Sequence, residues 1–366
     1  MRVAIGAVLG VLGGPATYAR ELVRALAALA QAELKILVFT DAPTTINVSG
    51  GNVTVIHAPL PASFAQPLWD HVVIPRLVRR HRPDLYHGTK GVLPGRMECR
   101  QVVTIHDLAV YHCPASFAWL QRLHQRWELP RTIRHAARVI ADSAHARQDI
   151  ANHFSLPGDR VVAVPLGVTT EFHPTRGADD AATVRRLQLP PRYILYAGTI
   201  QPRKNVEALV DAFVSWGGPA DWQLVIAGRV RPGYRPAFVD RPPSRVRYLG
   251  TVSDSELATL YRHALALVSP SAYEGFGLSL LEAMACGCVV VAGGNSAAVE
   301  LVNGVGLLLD RLDSVAIRAA LDLLAANDER RAQWRQRGLD RAGKFRWEHT
   351  ARATWDVYRT VMDESA

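Results

Sequence analysis

The chain has 366 residues, 49% of them hydrophobic, which is enough for about two domains with separate cores. It lacks the eighteen or more unbroken apolar residues of a membrane span, and its four cysteines include no C-x-x-C pair, so we expect reduced thiols in a cytosolic protein. The net charge is +9, and residues 69–147, with thirteen Lys and Arg against six Asp and Glu, carry most of the excess. Such an excess of positive charge is typical of proteins that bind nucleic acid or a membrane surface.

The N-terminal residues allow two interpretations. Residues 1–19 have the basic start, apolar run and small-residue ending of a secretory signal. Glycines break that run, however, and apolar residues then repeat at helical spacing, so we favour a buried strand, a glycine turn and a helix. Gly13 and Gly14 would bring the backbone close to a ligand, or simply form a tight turn. The spacing of Gly6, Gly10 and Gly13 does not fit G-x-G-x-x-G, which argues against a nicotinamide cofactor.

Short apolar runs alternate with helical segments along the whole chain. In the first half the predicted strands are 3–8, 35–39, 53–57, 85–87, 102–106, 139–141 and 161–165. A polar linker at 173–181 follows, and a second series then comprises 193–197, 223–227, 246–249, 266–268, 289–291 and 306–309. This alternation predicts two α/β domains with parallel sheets, joined near residue 175, and a final helix over 347–362.

Ligands of such sheets collect at the carboxyl ends of the strands, so the loops there are where we look for chemistry. His106 ends one predicted strand, where it would either bond a substrate hydroxyl or be oriented by its neighbour Asp107; a purely structural histidine is the alternative. In the second domain, Arg203 and Lys204 lie in a Pro-containing turn after a strand. They suit a diphosphate leaving group, or else are solvated surface cations.

The segment from Tyr273 to Ala292 combines three elements. Glu274 and Glu282 stand eight positions apart around a Gly-Phe-Gly turn, and a helix is predicted to begin near Leu278 and to stop at Gly287, before a short strand. The glycine-preceded start of this helix should hold an anion such as a phosphate. The two glutamates would then bind nearby hydroxyl groups.

Several other motifs are missing from the sequence. There is no H-E-x-x-H or C-x-x-C spacing, so we expect no metal, and there is no G-x-S-x-G elbow or P-loop, which argues against a hydrolase or a nucleotide kinase.

These segments together resemble a known family. EGFGLSLLE at 274–282 is similar to the E-x7-E element of the retaining glycosyltransferases of family 4, also called glycosyl transferases group 1. Further similar segments follow in the family's usual order at 13–26, 104–117, 141–150, 164–168, 198–205, 248–264 and 345–359. The resemblance implies the GT-B fold, an α/β architecture of two facing Rossmann-like domains with a cleft between them. It places an acceptor-side domain at 1–174, a nucleotide-sugar domain at 175–345, and a helix at 346–366 that crosses back to the first.

The resemblance also implies roles for matching positions. Glu282 would hold the ribose hydroxyls of the donor nucleotide, and Glu274 would contact the transferred sugar. The backbone N–H groups of Phe276, Gly277 and Leu278 would meet the diphosphate or sugar, and Arg203 and Lys204 would neutralise the leaving diphosphate. Gly13 and Gly14 would approach from the opposite domain, His106 would lie beside the sugar, and Val252 would lie near the base.

One departure from the family concerns the loop after the E-x7-E strand. Family members often carry Pro-Glu there, whereas this chain has Val299 before Glu300, so Glu300 reads as a structural acid. The loop begins GGNSA and indicates no particular sugar.

The family's reaction retains the anomeric configuration. We expect front-face transfer without a metal or cofactor, in which the departing phosphate oxygen helps to remove the acceptor proton. The resemblance implies mannose or rhamnose as the transferred sugar, with GDP-mannose as one donor. It implies a glycan or lipid-linked acceptor in polysaccharide or lipopolysaccharide assembly. A nucleotide-sugar epimerase and a basic nucleic-acid-binding protein are the rival functions, although no nucleic-acid-binding motif supports the second.

The basic excess lies in two segments with apolar residues between the charges, 72–82 and 117–138. Basic amphipathic segments with Trp suit an anionic membrane surface, and a solvated helix face is the alternative. We therefore expect a cytoplasmic protein attached peripherally to the inner face of the membrane.

Overall fold

Seven parallel strands form the first sheet. They are β1 (Arg2–Ala7), β2 (Lys35–Thr40), β3 (Val53–His57), β4 (Leu85–Gly88), β5 (Arg100–Ile105), β6 (Arg138–Ala141) and β7 (Val161–Ala163), in the order β3-β2-β1-β4-β5-β6-β7. β1, β2 and β5 are each buried at every position but the first. Burial on both faces is what a parallel sheet covered by helices requires.

Six parallel strands form the second sheet. They are β8 (Arg192–Ala197), β9 (Trp222–Ala227), β10 (Val246–Gly250), β11 (Ala266–Ser269), β12 (Val289–Gly293) and β13 (Leu307–Leu309), in the order β10-β9-β8-β11-β12-β13. Both sheets have the Rossmann-like arrangement that the sequence predicted, and the predicted strands overlap the observed ones.

Helices connect the strands. In the first half they are α1 (Gly14–Ala28), α2 (Gln66–Leu68), α3 (Ile74–His81), α4 (Ala109–His112), α5 (Trp119–His135) and α6 (Ala144–His153), with a π-helical turn over Trp69–Val73. They continue as α7 (Ala178–Arg186), α8 (Val206–Val214), α9 (Ala237–Asp240), α10 (Asp254–His263), α11 (Leu278–Ala285), α12 (Ala298–Val302), α13 (Ser314–Ala326), α14 (Asp328–Ala342) and α15 (Trp347–Asp363).

This computed structural model describes residues 1–8, 13–29, 34–46, 48, 51–59 and 66–364. Gly10, one of the glycines compared with the G-x-G-x-x-G spacing, lies outside the described residues, as do the last two residues. Within these ranges, no helix combines the length and the apolar character needed to cross a membrane.

The chain divides into two compact units. The first comprises Met1–Tyr111, Phe117–Gly167 and Arg346–Ala366, and the second comprises His112–Ser116 and Val168–Phe345. The boundary thus falls at Gly167, before the predicted position at 174. The short segment 112–116 belongs to the second unit, where the His112 ring stacks on Tyr273 with 4.8 Å between centroids. A ring contact of this kind leaves no periodic signal in the sequence.

The predicted linker at 173–181 is wrong at its C-terminal end, because α7 begins at Ala178. Asp180, which reads as a polar linker residue, is only 4% exposed. Its carboxylate accepts two hydrogen bonds from the guanidinium of Arg262, at 2.8 and 2.5 Å. A bidentate partner distant in the chain therefore allows this acid to be buried.

Helix α15 packs within the first unit through a buried chain of hydrogen bonds. The Tyr358 hydroxyl lies 2.7 Å from Nδ1 of His87, whose Nε2 lies 2.8 Å from the Thr104 hydroxyl. The hydroxyl of Tyr18, on α1, lies 2.8 Å from that of Thr104. All four side chains are fully buried, so these hydrogen bonds fix α15 against the sheet.

Candidate active site

The two elements predicted to carry chemistry in the second unit follow neighbouring strands. The turn with Arg203 and Lys204 comes after β8, and the loop with Glu274 comes after β11. These strands pair in parallel, Ala266 with Ile194, at the point where the strand order reverses. The carboxyl edge at such a switch point is where open α/β sheets bind ligands.

Glu274 is the centre of this cluster. Its carboxylate accepts a hydrogen bond from the ammonium of Lys204, and Nη1 of Arg203 lies 3.6 Å from the other carboxylate oxygen. Arg203 also donates from Nη1 to the Tyr273 carbonyl, at 2.6 Å. Glu274 is 8% exposed, and neither cation is a solvated surface charge.

The electrostatics of this cluster keep Glu274 ionised. Burial raises the pKa of its carboxyl, but the charges of Lys204 and Arg203 outweigh burial and hold the pKa at about 2, against an ordinary 4.5. Glu274 is therefore a permanent hydrogen-bond acceptor at neutral pH.

Two serines that the sequence did not single out support Glu274. Ser296, in the GGNSA loop after β12, accepts a hydrogen bond from the Glu274 backbone N–H at 3.1 Å, and Ser271 bonds its carboxylate. Both serines are almost fully buried. The GGNSA loop, which indicated nothing about the sugar, thus has a structural use at the site. A small hydroxyl residue in a loop gives no sequence signal that would have revealed this role.

Glu282 lies on α11 in a different environment. It is half-buried, and the Tyr261 hydroxyl donates to its carboxylate at 3.3 Å. Burial, together with the negative charge of Asp254, raises the pKa of Glu282 from 4.5 to about 8. The two glutamates of the E-x7-E element therefore differ in charge at neutral pH.

Helix α11 begins and ends as predicted. It starts at Leu278 after Gly277, whose φ of 102° lies in the left-handed region, and Gly287 follows its end with a φ of 72°. No side chain caps the N-terminus. The positive end of the helix dipole therefore remains available to an anion.

Val252 lies in the loop between β10 and α10, half-buried. Ser253 caps α10, accepting a hydrogen bond from Glu256 N, while Glu256 accepts one from Ser253 N. This capping box fixes the end of the loop that carries Val252 and the first residue of α10, Asp254.

In the first unit, Gly13 and Gly14 form the start of α1. Gly13 has a φ of 133°, which favours glycine, and its carbonyl accepts hydrogen bonds from Ala16 N and Thr17 N. Gly14 is the first residue of the helix and is exposed.

His106 follows β5, and both of its ring nitrogens have partners in the same unit. Nδ1 lies 2.7 Å from Oδ2 of Asp142, and Nε2 lies 3.0 Å from the Thr89 carbonyl oxygen. Since both partners are acceptors, the ring is held as a double donor. Burial lowers the pKa of His106, but the charge and hydrogen bond of Asp142, with the Thr89 carbonyl and the Asp107 charge, together leave the pKa raised.

The prediction that Asp107 orients His106 is wrong. Asp107 Oδ1 instead accepts a hydrogen bond from Ala109 N at 2.9 Å, at the start of α4. Asp142 is the orienting acid because it follows β6, which pairs with β5 so that Ala141 lies beside Ile105. Sequence adjacency suggested Asp107, whereas sheet order selects Asp142.

Two family models match the chain in succession. Glycosyltransferase Family 4 matches residues 12–172, and Glycosyl transferases group 1 matches residues 180–341. The chain is also 32% identical over 303 residues to O-antigen chain mannosyltransferase B of Escherichia coli, covering 78% of this chain and 76% of that protein. The chain belongs to glycosyltransferase family 4. It is therefore a glycosyltransferase of the hexosyltransferase type, and the epimerase and nucleic-acid-binding alternatives are set aside.

Solved structures agree with the family's fold. Sucrose-phosphate synthase from Thermosynechococcus elongatus has a TM-score of 0.79 at 22% identity and covers 99% of both chains. HepE from Anabaena, solved in complex with UDP-glucose, has a TM-score of 0.76 at 18% identity and covers 98% of this chain and 100% of its own. The fold of this family 4 enzyme is thus GT-B, as predicted.

Proposed function

We propose that this glycosyltransferase transfers mannose from GDP-mannose to a glycan or lipid-linked acceptor in polysaccharide or lipopolysaccharide assembly, with retention of configuration. The observation that carries the proposal is the cluster of Arg203, Lys204 and Glu274 at the switch point of the second sheet. The choice of mannose is supported by the name of the E. coli relative, O-antigen chain mannosyltransferase B. A nucleotide-sugar donor is supported by the UDP-glucose complex of HepE.

The chemistry of the leaving group explains the cations. Breaking the bond between sugar and diphosphate leaves negative charge on the phosphate oxygens, and preorganised positive groups stabilise that charge as it develops. The Lys204 ammonium has three N–H donors, so it can bond Glu274 and a phosphate oxygen together. The guanidinium of Arg203 and the N-terminus of α11 add to this positive field. We propose that these groups make the transfer independent of a metal.

The two glutamates would bind different parts of the donor. Glu274, ionised and held by Lys204, accepts hydrogen bonds from hydroxyls of the transferred sugar. It is assigned to binding because its pKa of about 2 makes it a weak base, and it is not proposed as a nucleophile. Glu282 would accept hydrogen bonds from the ribose hydroxyls, and Val252 would lie near the base.

Roles in the first unit follow from the family resemblance. Gly13 and Gly14 expose backbone at the start of α1, where they would approach the donor. His106 would lie beside the transferred sugar, with Asp142 favouring its protonated form. We propose a cytoplasmic enzyme acting at the inner face of the membrane, where a lipid-linked acceptor would be available.

A panel of nucleotide sugars tests the donor. GDP-mannose, dTDP-rhamnose and UDP-glucose are supplied in turn with a mannan-type or lipid-linked acceptor, with and without a chelator, and both donor consumption and product are measured. We expect transfer from GDP-mannose, unaffected by the chelator. Transfer from another donor alone, or donor consumption without any acceptor product, would contradict the proposal.

Variants test the site. Arg203→Ala and Lys204→Ala should each lower kcat by roughly a hundred-fold, the typical loss of one transition-state donor. Arg192→Ala, at an exposed ion pair with Asp221 in the same unit, is the matched control. Unchanged turnover in both site variants would overturn the assignment.

A further inference from the structure

The outer face of α5 carries a row of large apolar side chains in solvent. Trp119, Leu120, Leu123 and Trp127, here called the α5 stripe, are exposed by 65, 61, 62 and 59%. Side chains of this size normally lie in a core, and an exposed group of them marks an interaction surface. At roughly 100° per residue, the four fall within about one third of the helix circumference.

The opposite face of α5 already holds the helix in place. Leu129, Thr132 and Ile133 are buried, and the Thr132 hydroxyl accepts a hydrogen bond from Leu93 N at 3.0 Å. Glu128 is 1% exposed and lies 3.2 Å from Nε2 of His71. The helix therefore does not need the α5 stripe for its own packing.

Arginines border the α5 stripe. They are Arg122, Arg126, Arg131 and Arg134, and Glu128, the only acid in the sequence of this helix, is buried. The Arg131 guanidinium lies over the Trp127 ring, 5.0 Å from its centroid, and that of Arg126 lies over Tyr111 at 5.6 Å. The charge that α5 presents outward is therefore entirely positive.

A cavity with two arginines and one glutamate in its lining lies beside α3. It has a volume of about 570 Å³ and is lined by Pro75, Val78, Arg79, Arg96, Met97 and Glu98. The Arg131 guanidinium reaches Gly95, the neighbour of Arg96, since a Cβ at Gly95 would lie 3.1 Å from Nη2. Arginines of α5, of the segment at Arg96 and of α3 thus follow one another on this side of the unit, with Glu98 among them.

We propose that the α5 stripe and its arginine rim form the surface by which this enzyme docks on an anionic lipid bilayer. Trp prefers the interfacial depth of a membrane, the leucines would enter the acyl boundary, and the arginines would meet lipid phosphates. A second copy of the chain is a poor occupant, because two such faces would oppose like charges. This docking surface rests on the membrane location proposed above and assigns it to particular residues. Its test uses neither donor nor acceptor, so docking and the proposed transfer can fail separately.

Flotation of the full chain with lipid vesicles tests the docking. Vesicles of phosphatidylcholine alone are compared with vesicles containing one third phosphatidylglycerol. We expect binding to the anionic vesicles at low salt and release in about 1 M salt, where the Debye length is about 3 Å. Arg122→Gln with Arg134→Gln should weaken binding about thirty-fold, and Trp119→Ser with Trp127→Ser at least about ten-fold.

Matched controls separate this surface from general charge and hydrophobicity. Arg352→Gln with Arg359→Gln removes two exposed charges from α15, and Val315→Ser with Leu323→Ser removes exposed apolar residues from α13. Both controls should bind as the wild type does. The proposal is overturned if the wild type does not bind anionic vesicles, if the α5 variants bind equally well, or if the Trp variant instead changes the oligomeric mass in lipid-free solution.

Discussion

The ammonium of Lys204 donates a hydrogen bond to the carboxylate of Glu274, 70 residues further along the chain. One residue belongs to the turn after β8 and the other to the loop after β11, and Arg203 lies close to both. Two segments that the sequence marks separately are thus one electrostatic unit. A change to any of these three residues therefore alters the environment of the other two.

Removing the Lys204 charge should destabilise the protein. Lys204→Met removes one of the two cations beside the buried carboxylate of Glu274, so we expect the free energy of unfolding at neutral pH to fall by about 3 kcal/mol. The folded-state pKa of Glu274 is depressed from 4.5 to about 2, so the pair's stabilisation is present above pH 4.5 and lost as pH falls towards 2. Urea unfolding across this range should show the curves of wild type and variant converging in acid.

A surface ion pair is the control for that measurement. Arg192 and Asp221 are 61 and 58% exposed, so Arg192→Met should cost less than about 1 kcal/mol. A constant difference between Lys204→Met and wild type down to pH 2 would contradict the role of Glu274 ionisation.

Glu282 should make the stability fall with rising pH. Its pKa is raised from 4.5 to about 8, so the folded state favours the protonated acid, and that advantage is lost as pH rises through this interval. The Glu282→Gln side chain stays neutral. Between pH 4.5 and about 8, the free energy of unfolding of this variant should therefore rise relative to that of the wild type by roughly 1 kcal/mol per pH unit. Thermal unfolding over the range measures the difference.

The same substitution should weaken donor binding. An amide has fewer acceptor lone pairs than a carboxylate, so Glu282→Gln should lower nucleotide affinity about ten-fold at a pH above 8 in a calorimetric titration. Glu348→Gln, at an exposed acid on α15, controls for the loss of one negative charge. Equal nucleotide affinity in wild type and Glu282→Gln would rule out the ribose role.

Asp142 should control the protonation of His106. The pKa of His106 is raised above 6.5, so the stability it contributes is complete below pH 6.5 and is lost as pH rises through the folded-state pKa. Asp142→Asn should cost about 2 kcal/mol at pH 6 or below, with a smaller effect in alkaline solution. NMR titration of the imidazole should show a lower His106 pKa in Asp142→Asn, and a nearly unchanged one in Asp107→Asn.

Tyr358→Phe should loosen α15. Burial lowers the pKa of His87 to about 3, so its ring is neutral, and removal of the Tyr358 hydroxyl leaves buried Nδ1 without its partner. We expect a loss of about 2 kcal/mol in the free energy of unfolding. Tyr248→Phe removes a half-buried hydroxyl that donates to the Gly228 carbonyl, and should cost less. Equal losses in the two variants would show that burying the hydrogen bonds of His87 adds no stability.

Local patterns sufficed for much of the fold. Continuous apolar runs predicted strands such as β1 and β12, because strands buried on both faces have no polar face to interrupt the run. Helix α11 was located by the glycines at its two ends, since only residues tolerant of positive φ suit those positions. In both cases the physical cause lies within a few residues of its signal.

The partners of the site residues could not be predicted in this way. Asp142 beside His106 and Ser296 beneath Glu274 each depend on which strands are neighbours in a sheet. Strand order is decided by how the crossover helices pack, so the sequence favours the adjacent Asp107 and does not show that Asp142, 36 residues further on, lies beside His106. The outward direction of Trp119 and Trp127 is another example, because α5 has apolar residues on both of its faces.

The sequence by itself therefore determined the class of protein, the two parallel-sheet domains and the residues at which to look for chemistry. It did so because periodicity, glycine geometry and short motifs are local properties. Only the tertiary structure decided that Glu274 is ionised while Glu282 favours its proton. The two share one motif, but Lys204 and Arg203 surround the first, whereas Tyr261 and Asp254 surround the second. Charge at a buried acid depends on what folding brings next to it, and a motif does not record that.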